Sequence, residues 1–336
     1  MPTTSPRVSI LLPCRNAAAT LDEAMTSLVT QTFDAFEVIA VNDGSTDNTA
    51  DVLTAWARAD RRVRTIPTPA RGIVSALRTA ARHAAGSLFA RMDADDIAHP
   101  ERLAAQIALL DGRPDIVACG TGVRYFPRRQ VRDGARRYEQ WINGVVTPEH
   151  IERDLFVECP IPHPTLMIGR EVFEAVGGYH DRGWPEDYDL VLRLWAAGHR
   201  LAKRPDVLLQ WRERPDRLSR TDPRYAEDAF RRCKAYYLAR RIGGRRVVVW
   251  GAGPVGKAFA LALMDRQRDV AAFVDLDGRK IGQTIHGAPV IHPSAIGTFR
   301  SAYVVAAVGS AAARDEIRAA LAQAGFAEPG ECCAVA

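Results

Sequence analysis

The chain has 336 residues, more than one typical domain, and its apolar fraction of 47% supplies enough side chains for well-formed cores. The formal charge of +5 is small for that length. Its Arg-Arg pairs, at 61–62, 128–129, 136–137, 231–232, 240–241 and 245–246, are scattered. No basic-aromatic stripe accompanies them, so no nucleic-acid partner is expected, while an anionic substrate or membrane surface accounts for the excess equally well. No apolar stretch reaches the ~18 residues that a bilayer span requires, and Met1-Pro2-Thr3-Thr4-Ser5-Pro6 has no signal-peptide character. The six cysteines, Cys14, Cys119, Cys159, Cys233, Cys332 and Cys333, show no C-x-x-C pairing and no zinc spacing. The expectation is a cytoplasmic protein with reduced core thiols, at most peripheral at the inner face of the membrane.

Val8 to Pro13 reads as a strand. Thr20-Leu21-Asp22-Glu23 has the form of a capping box opening a helix toward Gln31. Phe36 to Val41 is the next strand, ending in Asn42-Asp43-Gly44-Ser45, and a helix follows around Asp47 to Asp60. Val63 to Ile66 predicts a short strand, Gly72 to Ala85 a helix, and Leu88 to Met92 a buried strand. That strand runs into Asp93-Ala94-Asp95-Asp96, and Pro100 falls in the first turn of the helix beyond. This alternation predicts a mostly parallel α/β sheet with helices on both faces. Ligands bind such sheets beyond the carboxyl ends of the strands, where Pro13, Asp43 and Asp93 all lie. Residues 121–160 mix charges and aromatics without a clear period. Order returns with a strand at Thr165–Ile168, a helix from Arg170 to Val176 and a break at Gly177-Gly178. Pro185-Glu186-Asp187-Tyr188-Asp189 opens another helix, and Tyr225 to Arg241 a long one. Gly243-Gly244 then breaks the chain, dividing it into domains at 1–242 and 243–336.

Three carboxylates at one strand end repel one another and raise one another's pKa. They suit a hard divalent cation, Mg²⁺ or Mn²⁺, which takes oxygen ligands; a solvated acidic turn capping the next helix is the plainer alternative. Asp43, the Asp93/Asp95 pair and Glu186-Asp187 are spaced as a sugar-nucleotide transferase needs. One carboxylate holds the base or ribose, a metal-bound pair neutralises the departing diphosphate, and another accepts the proton of the attacking hydroxyl.

Five segments in order resemble family 2 glycosyltransferases of the GT-A fold. They are Val8 to Asn16, Ser27 to Thr32, Val41 to Asp47, Arg91 to Asp96 and Glu186 to Leu190, so the resemblance covers roughly residues 7 to 215. It implies that Pro13, Arg15 and Asp43 line the nucleoside pocket. Asp93 and Asp95 form its D-x-D motif, with Asp95 the more direct metal ligand. Asp187 is the catalytic base, with Glu186 beside it, and anomeric configuration is inverted. The expected reaction moves one sugar from a nucleotide-diphosphate donor, UDP-linked by preference, to a hydroxyl of a glycan or lipid-linked acceptor. Surface polysaccharide synthesis is the pathway that the resemblance suggests. Arg78 stands where the family often has Asn and is read as a phosphate contact or a helix-surface residue. The Gln-x-x-Arg-Trp motif of processive synthases is missing, since Gln210-Trp211-Arg212 does not match it. His163 is read as an acceptor-site or a structural histidine, Trp184 as a sugar platform or a core aromatic, and Arg212, Arg214 and Arg217 as a diphosphate clamp or exposed loop residues.

Gly251-x-Gly253-x-x-Gly256 follows the strand Val247–Trp250 and opens a helix, and Asp275 ends the next strand. This is dinucleotide-fingerprint context. Phe273 to Gly282 and Ile285 to Val290 resemble the N-terminal Rossmann-like domain of sugar acyltransferases. The second domain is therefore a small Rossmann-like unit that binds a nucleotide or nucleotide-sugar, or serves only packing and homo-oligomer assembly. Two rival readings of the whole chain stay open: a non-catalytic nucleotide-sugar sensor, and a nucleotidyltransferase. The latter needs a Gly-rich basic loop after the first strand, which Pro13-Cys14-Arg15-Asn16-Ala17 is not.

Overall fold

The structure, a computed structural model, describes residues 5–336; the first four residues of the N-terminal stretch read above for a leader lie outside them. Two compact units emerge. One comprises the chain to Pro148 with Pro160–Arg182 and Glu186–Arg220; the other comprises Glu149–Cys159, Gly183–Pro185 and Thr221–Ala336.

The first unit opens with β1 (Val8–Cys14), α1 (Leu21–Val29), β2 (Phe36–Asp43), α2 (Thr49–Ala59), β3 (Val63–Thr68), α3 (Ile73–His83) and β4 (Leu88–Arg91). β5 (Ile97–Ala98), α4 (Arg102–Gly112), β6 (Ile116–Phe126) and α5 (Asp133–Gly144) follow; α6 (Pro148–Asp154), next in the chain, falls in the second unit from Glu149 on. Then come β7 (Met167–Gly169), α7 (Arg170–Ala175), α8 (Glu186–Ala196) and β8 (Arg200–Arg212). The strands form one eight-stranded sheet in the order β3-β2-β1-β4-β7-β6-β8-β5. β3, β2, β1 and β4 run parallel, so their carboxyl ends share one edge. β7 is antiparallel to both β4 and β6, which makes the sheet mixed.

β1 is apolar nearly throughout because strands cover both its edges and the core both its faces. Its one buried hydroxyl, Ser9 Oγ, donates to Glu37 Oε1 at 2.7 Å and accepts from the Gly86 amide at 2.8 Å. A paired polar group of this kind is tolerated where an unpaired one would not be.

Two expectations needed correction. Thr20 does not close a capping box: its hydroxyl donates to the Ala94 carbonyl at 3.1 Å, and the Glu23 carboxylate engages Arg212. Tertiary partners outcompete the local motif at both ends. The irregular stretch after residue 121 belongs to a long parallel pair, β6 with β8, and to the helix α5. Its register shifts near Gly122, where an added Cβ would sit 3.0 Å from the Asp206 carbonyl. A bulge there accommodates Pro205-Asp206 and obscures the period-2 pattern.

In chain order the rest comprises α9 (Leu218–Thr221), α10 (Glu227–Ile242), β9 (Val247–Trp250), α11 (Pro254–Met264) and β10 (Val270–Val274). β11 (Thr284–Ile285), β12 (Ala288–Ile291), β13 (Tyr303–Ala306), α12 (Ala311–Gln323) and β14 (Cys332–Ala334) complete it. The second unit's sheet runs β11-β12-β10-β9-β13-β14, parallel except for the β11–β12 hairpin. The short segment Glu149–Cys159 packs within this unit: Asp154 pairs with Arg318 at 2.6 Å, and Lys234 Nζ donates to the Val157 carbonyl at 2.7 Å. All six cysteines are buried and unbridged. Among the described residues, no helix is long and apolar enough to cross a membrane.

Candidate functional site

Pro13 and Asp43 lie at the carboxyl ends of adjacent strands, with Pro13 in register with Val41. Asp43 is buried, and its two oxygens accept from the Arg71 amide at 2.8 Å and the Gly72 amide at 2.9 Å. The half-exposed Arg15 guanidinium stands 3.6 Å from the same carboxylate. Gly44, at φ +61°, brings its backbone so close to Ala70 that a Cβ would lie 2.6 Å from the Ala70 nitrogen. The loops after β1 and β2 are joined by Asn16 and Asp47, the last residues of two of the motifs, to which the sequence assigned no role. The Thr46 amide donates to Asn16 Oδ1 at 2.8 Å, and the Ala18 amide to Asp47 Oδ2 at 3.1 Å. Asp43 therefore braces the rim on which Pro13 and Arg15 stand.

At the end of β4, carboxylate oxygens of Asp93, Asp95 and Asp96 all lie within 4.8 Å of one another. Arg91 Nη2 holds Asp93 Oδ1 at 2.7 Å, and Arg214 Nη2 stands 3.3 Å from Asp95 Oδ2. Arg212 ties the loop to β8: its amide donates to Asp96 Oδ1 at 2.8 Å and its Nε to the Asp95 carbonyl at 2.6 Å. Burial, then the neighbouring Asp93, pushes the Asp95 carboxyl up. Asp96 is pushed well above the usual carboxylate range by burial, then by Asp93 and Asp95, and its Oδ2 is buried without a hydrogen-bond partner. A set of crowded, mutually repelling oxygens, one of them unsatisfied, fits a hard divalent cation such as Mg²⁺ or Mn²⁺. Of the three arginines read as a clamp, Arg212 and Arg214 reach the cluster directly. Arg217 lies 4.5 Å from the Trp211 ring centroid and 5.5 Å from that of Tyr125, in a stacked aromatic pair.

Glu186 and Asp187 form the first turn of α8, where helix N-termini favour negative charge. Asp187 is partly exposed and its Oδ1 accepts from the Tyr188 amide at 2.8 Å; Glu186 is fully buried. His163 Nδ1 is 3.7 Å from Glu186 Oε1, and its Nε2 is 2.9 Å from the Tyr179 hydroxyl. Burial, reinforced by Arg91, holds the imidazole neutral by pushing its pKa well below the ordinary value. His163 is thus a buried partner of Glu186. Trp184 is only 7% exposed, with its ring 5.6 Å from Tyr236, so it is a packed aromatic rather than an open sugar platform. Arg78 is an exposed helix-surface residue whose Nε donates to the Tyr179 carbonyl at 2.7 Å. Arg91, which opens the fourth motif, was given no role from the sequence, and Tyr179 was not singled out; the available signal was an arginine inside an otherwise apolar strand.

In the second unit, Gly251 adopts φ +119°, and a Cβ there would lie 2.7 Å from the Ala307 carbonyl oxygen. Gly253 has open space, while Gly256 packs directly on the Gly251 carbonyl. The Asp275 carboxylate turns onto the loop, accepting from the Ala252 amide at 3.0 Å and Lys280 Nζ at 2.9 Å. Gly256→Ala places its Cβ 1.8 Å from the Gly251 oxygen. This overpacking against backbone is expected to cost more than about 2 kcal/mol. Lowered protease resistance of residues 243–336, read by limited proteolysis of the full chain, checks it; wild-type resistance contradicts it.

Residues 9–177 match the model of glycosyl transferase family 2, and residues 243–329 match a second model, C2185-like, N-terminal. The chain is 29% identical over 216 residues to an uncharacterized glycosyltransferase of Haemophilus influenzae, covering 62% of this chain and 65% of that one. It is 28% identical over 201 residues to the amylovoran biosynthesis glycosyltransferase AmsE of Erwinia amylovora, covering 60% of this chain and 73% of that one. Among solved structures, S. aureus TarS 1-349 in complex with UDP-GlcNAc superposes with a TM-score of 0.56 at 19% identity, over 69% of this chain and 66% of that one. The chain thus spans just under two thirds of the Haemophilus relative and of the TarS fragment. The TarS likeness concerns the fold, which is of the GT-A type. With half of its length matching the family model, the chain belongs to glycosyl transferase family 2.

Proposed function

We propose that the protein is a metal-dependent, inverting glycosyltransferase. It moves a single sugar from a nucleotide-diphosphate donor, UDP-linked by preference, to a hydroxyl of a glycan or lipid-linked acceptor. The observation that carries this reading is the convergence of Asp93, Asp95 and Asp96 oxygens within 4.8 Å at a strand end. Asp95, with Asp93, would hold Mn²⁺ or Mg²⁺, whose charge when bound offsets that developing on the nucleoside diphosphate as it leaves. Pro13, Arg15 and Asp43 form the nucleoside side of the crevice. Asp187 takes the proton of the acceptor hydroxyl while that oxygen attacks the anomeric carbon. The bond to the diphosphate oxygen breaks on the opposite face, so one displacement inverts the configuration. Glu186 lies beside this base and is buried against His163. The family relation to AmsE supports a role in surface polysaccharide synthesis, with the protein cytoplasmic and peripheral at the membrane's inner face. The unit that carries Gly251, Gly253, Gly256 and Asp275 supplies a second nucleotide site or a homo-oligomer contact.

Calorimetric titration of UDP, GDP, dTDP and NAD, with and without Mn²⁺, tests the reading. One nucleoside diphosphate is expected to bind at least about tenfold more tightly with Mn²⁺, roughly 1.4 kcal/mol. Metal-independent affinity for every nucleotide would defeat it.

A further inference from the structure

Arg91 is a charged side chain in a strand whose other positions are apolar. It is 2% exposed, and its neighbours Ala90 and Met92 are equally enclosed. Its backbone is pinned on both sides: the amide donates to the Leu166 carbonyl at 2.8 Å, and the carbonyl accepts from Arg102 Nη2 at 2.6 Å. Only Nη2 of the guanidinium has a close partner, Asp93 Oδ1 at 2.7 Å; Nε and Nη1 are buried without one. An unsatisfied buried donor costs about 1–3 kcal/mol. A buried charge persists only among compensating charges and dipoles. Here these are Asp93, just beyond the end of its own strand, and, more weakly, Glu186 on α8. Glu186 in turn faces His163, which bonds Tyr179. The guanidinium is therefore the direct counter-charge of a D-x-D carboxylate, with Glu186 only a smaller electrostatic contributor.

We infer that Arg91 is a positioning residue for sugar transfer, holding the Asp93 carboxylate of the D-x-D motif in place from within the buried end of β4. The inference rests on the function proposed above. It has a signature that distinguishes it from plain structural support. A guanidinium against Asp93 repels a divalent cation, so Arg91 weakens metal binding while it promotes turnover. Removing it moves the two properties in opposite directions.

The test uses the full chain as wild type, Arg91→Met and Arg91→Lys. Mn²⁺ alone is titrated by electron paramagnetic resonance without donor. Turnover is followed as hydrolysis of whichever nucleotide sugar the wild type uses fastest among UDP-glucose, UDP-galactose, UDP-N-acetylglucosamine and GDP-mannose. In Arg91→Met, Mn²⁺ is expected to bind about threefold more tightly. Its kcat should fall at least about 100-fold, with donor KM within about threefold. Loss of Mn²⁺ affinity together with kcat, or an unchanged kcat, overturns the inference. Arg91→Lys keeps the charge but not the planar fork. It should leave the Mn²⁺ Kd within about twofold and lower kcat about tenfold, which carries the test if Arg91→Met does not fold; wild-type kcat in Arg91→Lys would likewise overturn it. A wild type that neither binds Mn²⁺ nor turns over any donor removes the proposed function itself, a separate outcome.

Discussion

Asp187→Asn is expected to lower turnover by about 10²–10⁴-fold while leaving donor binding unchanged, the range that a positioned general base supplies. The substitution is nearly isosteric. Asp187 is partly exposed at the start of α8, and its Oδ1 accepts from the Tyr188 amide at 2.8 Å. Asn can keep that hydrogen bond through its amide oxygen but cannot take up a proton. The loss should therefore fall on kcat, with donor KM and the Mn²⁺-dependent calorimetric affinity at wild-type values. Steady-state kinetics over the same nucleotide sugars makes the measurement. Turnover within about tenfold of wild type would remove Asp187 from the role of base. Glu186 should behave differently: it is fully buried beside His163, so truncating it disturbs packing before chemistry.

The double variant Asp93→Ala/Asp95→Ala should lose Mn²⁺-dependent nucleoside diphosphate binding, by at least about 100-fold or roughly 2.7 kcal/mol. It should do so without unfolding. The native cluster sets three carboxylates within 4.8 Å of one another, with burial and mutual repulsion raising Asp95 and Asp96. Removing two of them relieves that repulsion. The cost is two ion pairs, Arg91 with Asp93 and Arg214 with Asp95. The second is partly exposed and contributes little; the first leaves the Arg91 guanidinium buried without its one close partner, which costs about 3–5 kcal/mol. A lowered melting temperature with a folded chain at 25 °C by circular dichroism, together with lost metal-dependent affinity in calorimetry, is the expected pair of results. Full metal-dependent binding in this variant would show that the cation is held elsewhere.

Much of the parallel half of the first sheet was legible because each of its strands is a short apolar run bounded by turn residues and helices with an apolar face. β1, β2, β3 and β4 fall within a residue or two of their expected bounds, and β9 matches its expected bounds. β6 and β8 were not legible. β8 carries Lys203, Arg204, Pro205 and Asp206 in mid-strand, and its partner shifts register opposite them. Long-range pairing with β6 over most of its length overrides the local composition. The capping box failed for a related reason, since Thr20 and Glu23 find partners on Ala94 and Arg212, distant in sequence.

The same division applies to the site. The carboxylates Asp43, Asp93, Asp95, Glu186 and Asp187 stand out in the chain because acidic residues at strand and helix ends are a local pattern, and the order of the five motifs carries the family. Their surroundings do not stand out. That Asp43 is bonded to the Arg71 and Gly72 amides, that Trp184 packs on Tyr236, that His163 is buried against Glu186, and that the buried Arg91 guanidinium holds Asp93 are decided by packing within the fold. Sequence by itself determined which residue types stand at the strand ends, because period and turn chemistry act over a few residues. Only the tertiary structure decided which charges face one another, because electrostatic balance in a low-dielectric interior depends on distances between segments far apart in the chain.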